Sequence, residues 1–516
     1  MLNKIGQSIE VLLAYLDLEE TLQLQKISKS YRRMISNCAG SVLRLHGEHL
    51  QKHLKSELIL VLAQLIRKSK GHVSLDLSEY KLSGQESSLL AASLEHTGST
   101  VISLKMNLTT SSVEYFEEAL GKCALGHLEL QLSHEDQKGA EALGRALVSS
   151  SVFSLVLKID FDQNTKGTAQ TFLKPLCTAL SASKVKTLDL KCYYLSAEDL
   201  SLLGATFGRS RLESLDLGTN QVSEEAIGTI TQAVSESFLK KLDLRLNSVG
   251  PDGCEALARV LPSSQLKSLN LEFNSIYTKG ARAIAEVLPR SQLTCLNLKG
   301  NSIGPNGALA VSKALPYSQI TNLSMYYNEI GLEGAQALAK TLPSSKVTHL
   351  DLFYNELGEE GAKALSDTLP NSQVVFLNLG SNCIGDKGAE ALSGALPSSR
   401  VKDLSLQHNC IGVEGAEFLA EGLKNSDLCS VDLGYNKIDN SGAKALSKAL
   451  CSVSSLNLRA NCIGEEGAGV LVEALSSSNV SYINLELNPI GEAVERALKE
   501  LYSGSPQSVK YTSGGL

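Results

Sequence analysis

The sequence lacks the features that identify several large classes of protein. No apolar run reaches the roughly 20 residues that a membrane helix needs, and the segment Met1–Gln7 has no basic-then-apolar signal peptide. The net charge of −7 excludes the basic surface typical of nucleic-acid binding. The 11 cysteines include no Cys-x-x-Cys pair, which favours reduced thiols in a cytosol-like compartment. We therefore expect a cytoplasmic protein that binds neither membranes nor nucleic acid.

Recognisable catalytic motifs are also lacking. The chain contains no Walker loop, no GxGxxG after a strand, no HExxH and no GxSxG. Its 9 histidines are dispersed, and none recurs beside a cysteine or carboxylate as a repeated pocket would require. We expect no catalytic residue, no metal site and no cofactor. A catalytic site assembled across several repeats would escape this motif search and is the alternative to a non-enzymatic protein.

A fixed period organises the middle of the chain. Asparagines recur every 27 residues. Seven of the nine close a Leu-x-Leu-x-x-Asn phrase, and Met325 and Val431 each replace one leucine in the other two; in most copies an apolar residue and two glycines follow. A constant period of this length is the signature of a solenoid. The asparagines of the evenly spaced copies are Asn220, Asn247, Asn274, Asn301, Asn328, Asn355, Asn382, Asn409 and Asn436.

Each copy predicts one short strand and one helix. Leu350 and Leu352 alternate as on a strand with one buried face. Ala335, Leu338 and Leu342 fall on one face of a helix. A single strand–helix unit cannot bury both faces alone, so stacked copies share one core.

The repeated polar and proline positions are interpreted as scaffold. The Asn side chain can hydrogen-bond backbone groups where the chain leaves the strand. The prolines that follow the last helical leucine mark the end of each helix; they are Pro262, Pro289, Pro316, Pro343, Pro370 and Pro397. Cys383, Cys410 and Cys462 share one column and are predicted to be small buried side chains in a stacked turn, with a redox or metal role as the alternative.

These phrases resemble the leucine-rich repeat, and the 27-residue length with its Gly-Ala-x-Ala-Leu helix resembles the ribonuclease-inhibitor subtype. The resemblance implies an α/β solenoid, a horseshoe with a parallel concave sheet and convex helices, plus a small N-terminal helical segment. We place leucine-rich repeats at residues 73–490, irregular to about residue 193 and regular over 214–490. A transitional helical cap is expected at 41–72, and a capping helix with a flexible tail at 491–516.

The segment 1–40 does not follow the repeat and is similar to an F-box. Its order of leucines, ending in Tyr31-Arg32 where that family usually has Trp-Arg, carries the similarity. The resemblance implies docking to the adaptor subunit of a cullin–RING ubiquitin ligase; the alternative is a helical cap over the first repeat. The docking residues would be Ile9, Leu12, Leu13, Leu16, Leu22 and Leu24.

The strand positions that point away from the core vary between copies, as a binding surface requires. The column four residues before each Asn is uniformly Asp, Asn or Ser and is interpreted as scaffold. Aromatic residues concentrate in the neighbouring columns although they make up 5% of the chain, and such patches mark partner sites; rings that pack on each other to shield the sheet are the alternative. The predicted partner-binding residues are Phe273, Tyr326, Tyr327, Phe353, Tyr354, Phe376, His408, Tyr435, Arg245 and Lys299.

Together these patterns predict a protein–protein interaction adaptor. The leading hypothesis is an F-box-type substrate receptor that binds a protein on its concave face, in a eukaryotic cell or as a bacterial effector in the host cytosol. The alternative is a binding or inhibitor protein similar to ribonuclease inhibitor, with no link to ubiquitin.

Overall fold

The computed structural model describes residues 42–45, 72–95, 100–108, 110–132, 137–159, 168–192, 194–478, 480–502 and 508–510. The F-box-like residues Ile9 to Leu24 lie outside these ranges, so their predicted role stays a prediction. The chain divides into two compact units, Met1–Asn247 (unit 1) and Ser248–Leu516 (unit 2). Each unit is described by itself below.

Unit 1 alternates strands and helices, and its consecutive strands pair in parallel. The described strands are β1 (Val42–Leu45), β2 (His72–Lys81), β3 (Thr100–Leu108), β4 (His127–Leu132), β5 (Ser154–Ile159), β6 (Thr187–Lys191), β7 (Ser214–Asp216) and β8 (Lys241–Asp243). The helices are α1 (Gly84–Glu95), α2 (Thr110–Val113), α3 (Glu117–Lys122), α4 (Gln137–Ser149), α5 (Thr168–Ala182), α6 (Ala197–Phe207) and α7 (Glu224–Ser235), with a 3₁₀ turn at Glu114–Phe116.

Unit 2 repeats the same plan with shorter strands, again paired in parallel. Its strands are β9 (Ser268–Asn270), β10 (Cys295–Asn297), β11 (Asn322–Ser324), β12 (His349–Asp351), β13 (Phe376–Asn378), β14 (Asp403–Ser405), β15 (Ser430–Asp432), β16 (Ser455–Asn457), β17 (Tyr482–Asn484) and β18 (Ser508–Lys510). Its helices are α8 (Gly250–Val260), α9 (Tyr277–Val287), α10 (Gly304–Ala314), α11 (Gly331–Thr341), α12 (Gly358–Ser366), α13 (Gly385–Ala395), α14 (Val413–Lys424), α15 (Asn440–Ser447), α16 (Glu465–Leu475) and α17 (Gly491–Tyr502).

The alternating α/β repeat fold predicted from the sequence is therefore confirmed in each unit. At the C-terminal end, residues 508–510 form β18 on β17, whereas the segment was predicted to be a flexible tail.

The core of each repeat follows the predicted apolar pattern. Leu350 pairs in register with Leu323 and Leu377 on the neighbouring strands, and all three are buried. On α11, Ala335 and Leu338 are buried as well. A Cβ placed on Gly334 would lie 3.1 Å from the Cβ of Ala308 on α10, so this glycine allows the two helices to approach closely.

Proline follows six helices of unit 2, α8 to α13, in the predicted way. α11 stops at Thr341, and Leu342–Ser344 continues as a single 3₁₀ turn with Pro343 near its start. The same turn follows α9, α10, α12 and α13, at Leu288–Arg290, Leu315–Tyr317, Leu369–Asn371 and Leu396–Ser398.

The asparagine column forms a buried hydrogen-bond ladder, which confirms its scaffold role. Asn355 is 0% exposed, and its Nδ2 donates to the carbonyl oxygens of Met325 at 2.8 Å and Leu352 at 3.0 Å. Its Oδ1 accepts from the backbone N of Asn328 at 3.0 Å. Each such amide therefore joins two consecutive repeats. It also gives hydrogen-bond partners to buried backbone groups of the turn, which would otherwise lack them.

The cysteine column departs from its prediction. Cys383, Cys410 and Cys462 are exposed rather than buried. Cys383 and Cys410 adopt left-handed backbone, with φ of 54° and 57°, directly after the buried asparagines Asn382 and Asn409. The residue after the buried Asn faces outward in all three copies, which a pattern of residue types alone does not reveal.

Candidate protein-binding surface

The strands of unit 2 expose one face. On β12, Leu350 is buried while His349 on one side of it is exposed and Asp351 on the other is half-buried. We call this surface the open face: the side chains that lie six, four, two and one residues before each Asn of unit 2. The predicted partner-binding residues other than Arg245 all belong to it.

The column four residues before the Asn holds the strand ends in shape. Asp351 Oδ1 accepts from the backbone N of Phe353 at 3.2 Å, Asn378 Oδ1 accepts from that of Gly380 at 3.1 Å, and other repeats make the same bond. Asp and Asn favour such bonds to a backbone group two residues on. The scaffold interpretation of this column is confirmed.

Asp351 carries a carboxylate in an unfavourable setting within that column. Burial raises its pKa, against the hydrogen bonds from the Phe353 backbone and the Ser324 hydroxyl and the nearby charge of Lys299. Burial disfavours the ionised form of a carboxyl group. The equivalent residues Asn270, Asn297 and Asn378 avoid this charge.

Several aromatic residues of the open face have left-handed backbone. The residue directly before the buried Asn has φ of 50° at Phe273, 55° at Tyr327, Tyr354 and Tyr435, and 56° at His408. This conformation is uncommon for residues other than glycine. It exposes the rings: Tyr327 is 46% and Tyr354 50% exposed.

The aromatic rings meet in pairs across neighbouring strands. The ring centroids of Tyr326 and Phe353 are stacked 4.6 Å apart, and those of Tyr327 and Tyr354 lie 5.0 Å apart with planes tilted by 48°. Each pair joins two predicted residues that occupy the same column in neighbouring repeats. Tyr326 and Phe353 are half-buried. The alternative interpretation, that the rings pack on each other, therefore fits this pair better than it fits Tyr327 and Tyr354.

Two further pairs extend the row of rings. His408 stacks on Tyr435 with centroids 4.2 Å apart. Phe376 lies beside His349 with centroids 5.9 Å apart, and His349 was not among the predicted residues. Spacings of this kind are typical of favourable aromatic contacts.

Two cations of the chain are already engaged with these rings. Lys299 Nζ lies 4.4 Å from the Tyr326 ring centroid and 5.6 Å from that of Phe273, and it forms a 3.1 Å ion pair with Glu272. At the other end, Arg459 Nε donates to the Tyr435 hydroxyl at 3.0 Å, and its guanidinium also pairs with Glu486. In both places a ring, a cation and a carboxylate come together.

Glycines create the space in which two of the rings lie. A Cβ on Gly300 would collide with the Phe273 ring, and a Cβ on Gly380 would collide with the Phe353 ring. Each glycine lies one repeat after the aromatic residue, in the same column. Reading the columns for a glycine beside an aromatic residue would have found this packing.

The predicted residue Arg245 belongs to unit 1, where its guanidinium pairs with Asp216 at 2.8 Å and Asp243 at 3.2 Å. Other charges on the strands of unit 1 are paired in a similar way: Glu129 accepts from Lys158 and lies 3.1 Å from Lys105.

The described residues hold no group of three or more His, Cys, Asp or Glu side chains arranged to bind a metal ion. Among the same residues, none of the helices combines the length and apolar character of a membrane-spanning segment.

The family model described as Leucine Rich repeat matches residues 236–258, 263–285, 292–312, 344–366, 371–393, 400–420, 424–447 and 449–472. No curated protein matches the sequence.

Several solved structures are similar to the chain. The leucine-rich repeat-containing protein LegL7 from Legionella pneumophila is 20% identical, with 58% of this chain and 93% of that one covered and a TM-score of 0.35. An internalin (inlF) from Listeria monocytogenes is 16% identical, with 83% and 93% covered and a TM-score of 0.36. The Rad7 and Elc1 complex in yeast is 12% identical, with 96% and 98% covered and a TM-score of 0.40.

Proposed function

Because this chain is a leucine-rich repeat protein, we propose that it is a non-enzymatic adaptor that binds a protein partner on the open face of unit 2. A leucine-rich repeat fold suggests protein–protein interaction. The observation that carries the proposal is the row of rings on that face, in which Tyr327 and Tyr354 are about half exposed. Exposed aromatic clusters are characteristic of protein interfaces, where Tyr is a frequent hot-spot residue.

The scaffold beneath the rings supports this assignment. The Asn ladder and the bonds from Asp351 and Asn378 hold the strand ends in one conformation. A rigid support lowers the entropy lost when a partner binds. The side chains above it differ between repeats, which allows selectivity for one partner.

Site-specific photocrosslinking tests where the partner binds. Benzoylphenylalanine in place of Phe376 puts the probe on the open face, and the same residue in place of Tyr317, which is 73% exposed on a 3₁₀ turn, serves as the control. We expect a discrete adduct from position 376 in native cytosol, lost when Tyr327→Ala and Tyr354→Ala are added, and none from position 317. Adducts that are equal from both positions, or that survive the double substitution, would exclude the proposed site.

The proposed role of the N-terminal segment is to dock the adaptor subunit of a cullin–RING ubiquitin ligase, so that the bound protein is presented for ubiquitin transfer. Its support is the F-box-like order of residues between Ile9 and Leu24. The chemistry would be carried out by other subunits. The arrangement would serve a eukaryotic receptor or a bacterial effector in the host cytosol equally well.

A pull-down with the cullin adaptor separates this role from the ribonuclease-inhibitor-like alternative. Retention of the wild-type chain, lost on Leu16→Asp and unchanged by Tyr354→Ala, supports the F-box-type role. Absence of retention by the wild-type chain leaves a binding or inhibitor protein with no link to ubiquitin.

A further inference from the structure

Two consecutive repeats of unit 2 carry the same triplet around the buried asparagine. Tyr327-Asn328-Glu329 and Tyr354-Asn355-Glu356 lie in the same columns of the array. The tyrosines and glutamates all have left-handed backbone, with φ between 55° and 58°, and all four are exposed. We call these four residues the Tyr–Glu corner. It presents two adjacent rings and two carboxylates on either side of the buried Asn ladder.

On the open face, a cation of the chain itself contacts an aromatic ring and a carboxylate at two places. Lys299 lies over the rings of Phe273 and Tyr326 and pairs with Glu272. Arg459 lies beside Tyr435 and pairs with Glu486. Both contacts combine the attraction of a cation to a ring face with charge pairing.

The Tyr–Glu corner has rings and carboxylates without a cation from the chain; its carboxylates follow the Asn by one residue, whereas those of Glu272 and Glu486 precede it by two. Among the described residues, no Lys or Arg lies over the Tyr327 or Tyr354 ring, and neither Glu329 nor Glu356 forms an ion pair. Glu329 accepts a hydrogen bond from the Ser302 hydroxyl at 3.3 Å. In the equivalent column the next two residues toward the C-terminus are Cys383 and Cys410, which bring no charge of opposite sign.

We propose that the Tyr–Glu corner binds a basic side chain, Lys or Arg, of the protein partner. This proposal rests on the proposed function of the open face and specifies the chemistry of the bound surface. The two rings attract a cation through their faces, and Glu329 and Glu356 supply the negative charge that selects a cation over a neutral apolar group. A basic residue of the partner would lie against these rings as Lys299 lies against Tyr326 and Arg459 against Tyr435.

Labelled peptides test the chemistry without knowledge of the partner. The probe is a short fluorescein-labelled peptide of alternating Arg and Gly, compared with peptides in which Arg is replaced by Lys or by citrulline, the neutral isostere of Arg. Fluorescence anisotropy with the full chain at low ionic strength gives the Kd of each. We expect the Arg or the Lys peptide to bind at least about tenfold more tightly than the citrulline peptide, and the comparison of the two basic peptides identifies the preferred cation.

Matched variants locate the binding. The pair Glu329→Gln and Glu356→Gln, and separately the pair Tyr327→Leu and Tyr354→Leu, should each weaken the basic peptide by about tenfold. The control pair Glu333→Gln and Glu360→Gln removes the same charge from two exposed positions at the starts of α11 and α12, in the same two repeats. It should leave the Kd nearly unchanged. Circular dichroism of each variant confirms that it is folded.

The failures of the two proposals are distinguishable. Equal binding of the citrulline peptide, or equal loss of binding in the Glu333/Glu360 control, overturns the Tyr–Glu corner. If the adduct from position 376 still forms in the presence of excess basic peptide and in the Glu329/Glu356 variant, the open face binds a partner and the corner does not select it. If no adduct forms from position 376 in any condition, the proposed function itself fails.

Discussion

Left-handed backbone on both sides of the buried asparagine is the residue-scale feature on which the open face depends. It turns the side chains before and after the Asn outward, yet it is unfavourable for residues other than glycine by about 1–2 kcal/mol. Ala460 has φ of 52° in the position where Gly300, with φ of 66°, stands in another repeat. The conformational preference of glycine should therefore be measurable at Ala460.

We predict that Ala460→Gly stabilises the protein by about 0.5–1 kcal/mol, because relief of the left-handed strain exceeds the entropy that glycine adds to the unfolded chain. Urea unfolding measures the change. The control Ala337→Gly, inside α11, should instead destabilise by about 1 kcal/mol. A loss of stability at both positions would contradict the assigned strain.

A second prediction at this scale concerns the buried carboxyl group of Asp351. Because burial raises its pKa in the folded state, ionisation of Asp351 opposes folding, and its unfavourable contribution appears as pH rises from the unfolded pKa through the folded pKa. Asp351→Asn should therefore raise the free energy of unfolding at neutral pH. The gain should disappear below about pH 3.9, where the carboxyl is protonated in both states.

Urea unfolding at the two pH values checks this difference. The exposed control Asp367→Asn should shift stability by less than about 0.5 kcal/mol at either pH. A gain for Asp351→Asn that is the same in acid and at neutral pH would show that packing, and not charge, is responsible.

Sequence columns predicted which rings share the open face, because the strand period and the constant repeat length determine their positions. They did not predict the left-handed backbone at Tyr354 and Cys383, since residues of many types, such as Thr219, Leu246 and Ala460, adopt it directly before the Asn and no residue type marks it. The same omission made the cysteine prediction wrong and left Glu329 and Glu356 unnoticed.

At the scale of the element, each turn after a strand depends on one amide. Asn355 bonds to the carbonyls of Met325 and Leu352 and to the backbone N of Asn328. Removal of the side chain would take this partner from the buried Met325 carbonyl and Asn328 N–H, whereas the Leu352 carbonyl still accepts from Asn382 Nδ2. An unsatisfied buried group costs about 1–3 kcal/mol.

We therefore predict that Asn355→Ala destabilises unit 2 by about 3 kcal/mol or more. Asn371→Ala, at an exposed position of the 3₁₀ turn after α12, should change stability by less than about 0.5 kcal/mol. Denaturant titration followed by circular dichroism compares the two. A small effect at Asn355 would mean that water replaces the amide in the turn.

The regular elements of unit 2 were the most predictable part of the molecule. Alternating apolar residues such as Leu350 and Leu352 mark the strands, and prolines such as Pro343 mark the ends of six helices. The elements before residue 214 were less predictable because their spacing drifts and the asparagine is missing. The break of one helical stretch into α2, a 3₁₀ turn and α3 has no counterpart in the regular repeats.

At the scale of the whole molecule, binding and stability should respond to different rings. Tyr327→Ala with Tyr354→Ala should weaken partner binding by tenfold or more, on the order of a hot-spot effect, while the Tm stays nearly constant because both rings are about half exposed. The Kd for the crosslinked partner and the Tm from a thermal melt are the two quantities to compare. A large fall in Tm would identify these tyrosines as packing residues.

The stacked and half-buried pair beside them provides the comparison. Phe353→Ala removes the ring that stacks on Tyr326 at 4.6 Å and should lower the free energy of unfolding by about 2 kcal/mol. An unchanged stability would show that this ring, too, is available for binding.

The buried amides bond only within their own copy and to the copies on either side, so the array tolerates a change of length in whole units. Excision of residues 329–355 would place Asn328 beside Asn382, with the same donors and acceptors that it has now. Duplication or loss of one 27-residue segment would then alter the exterior by one set of side chains and leave the interior continuous. The gain or loss of one repeat can therefore change which partner the surface recognises while the protein still folds.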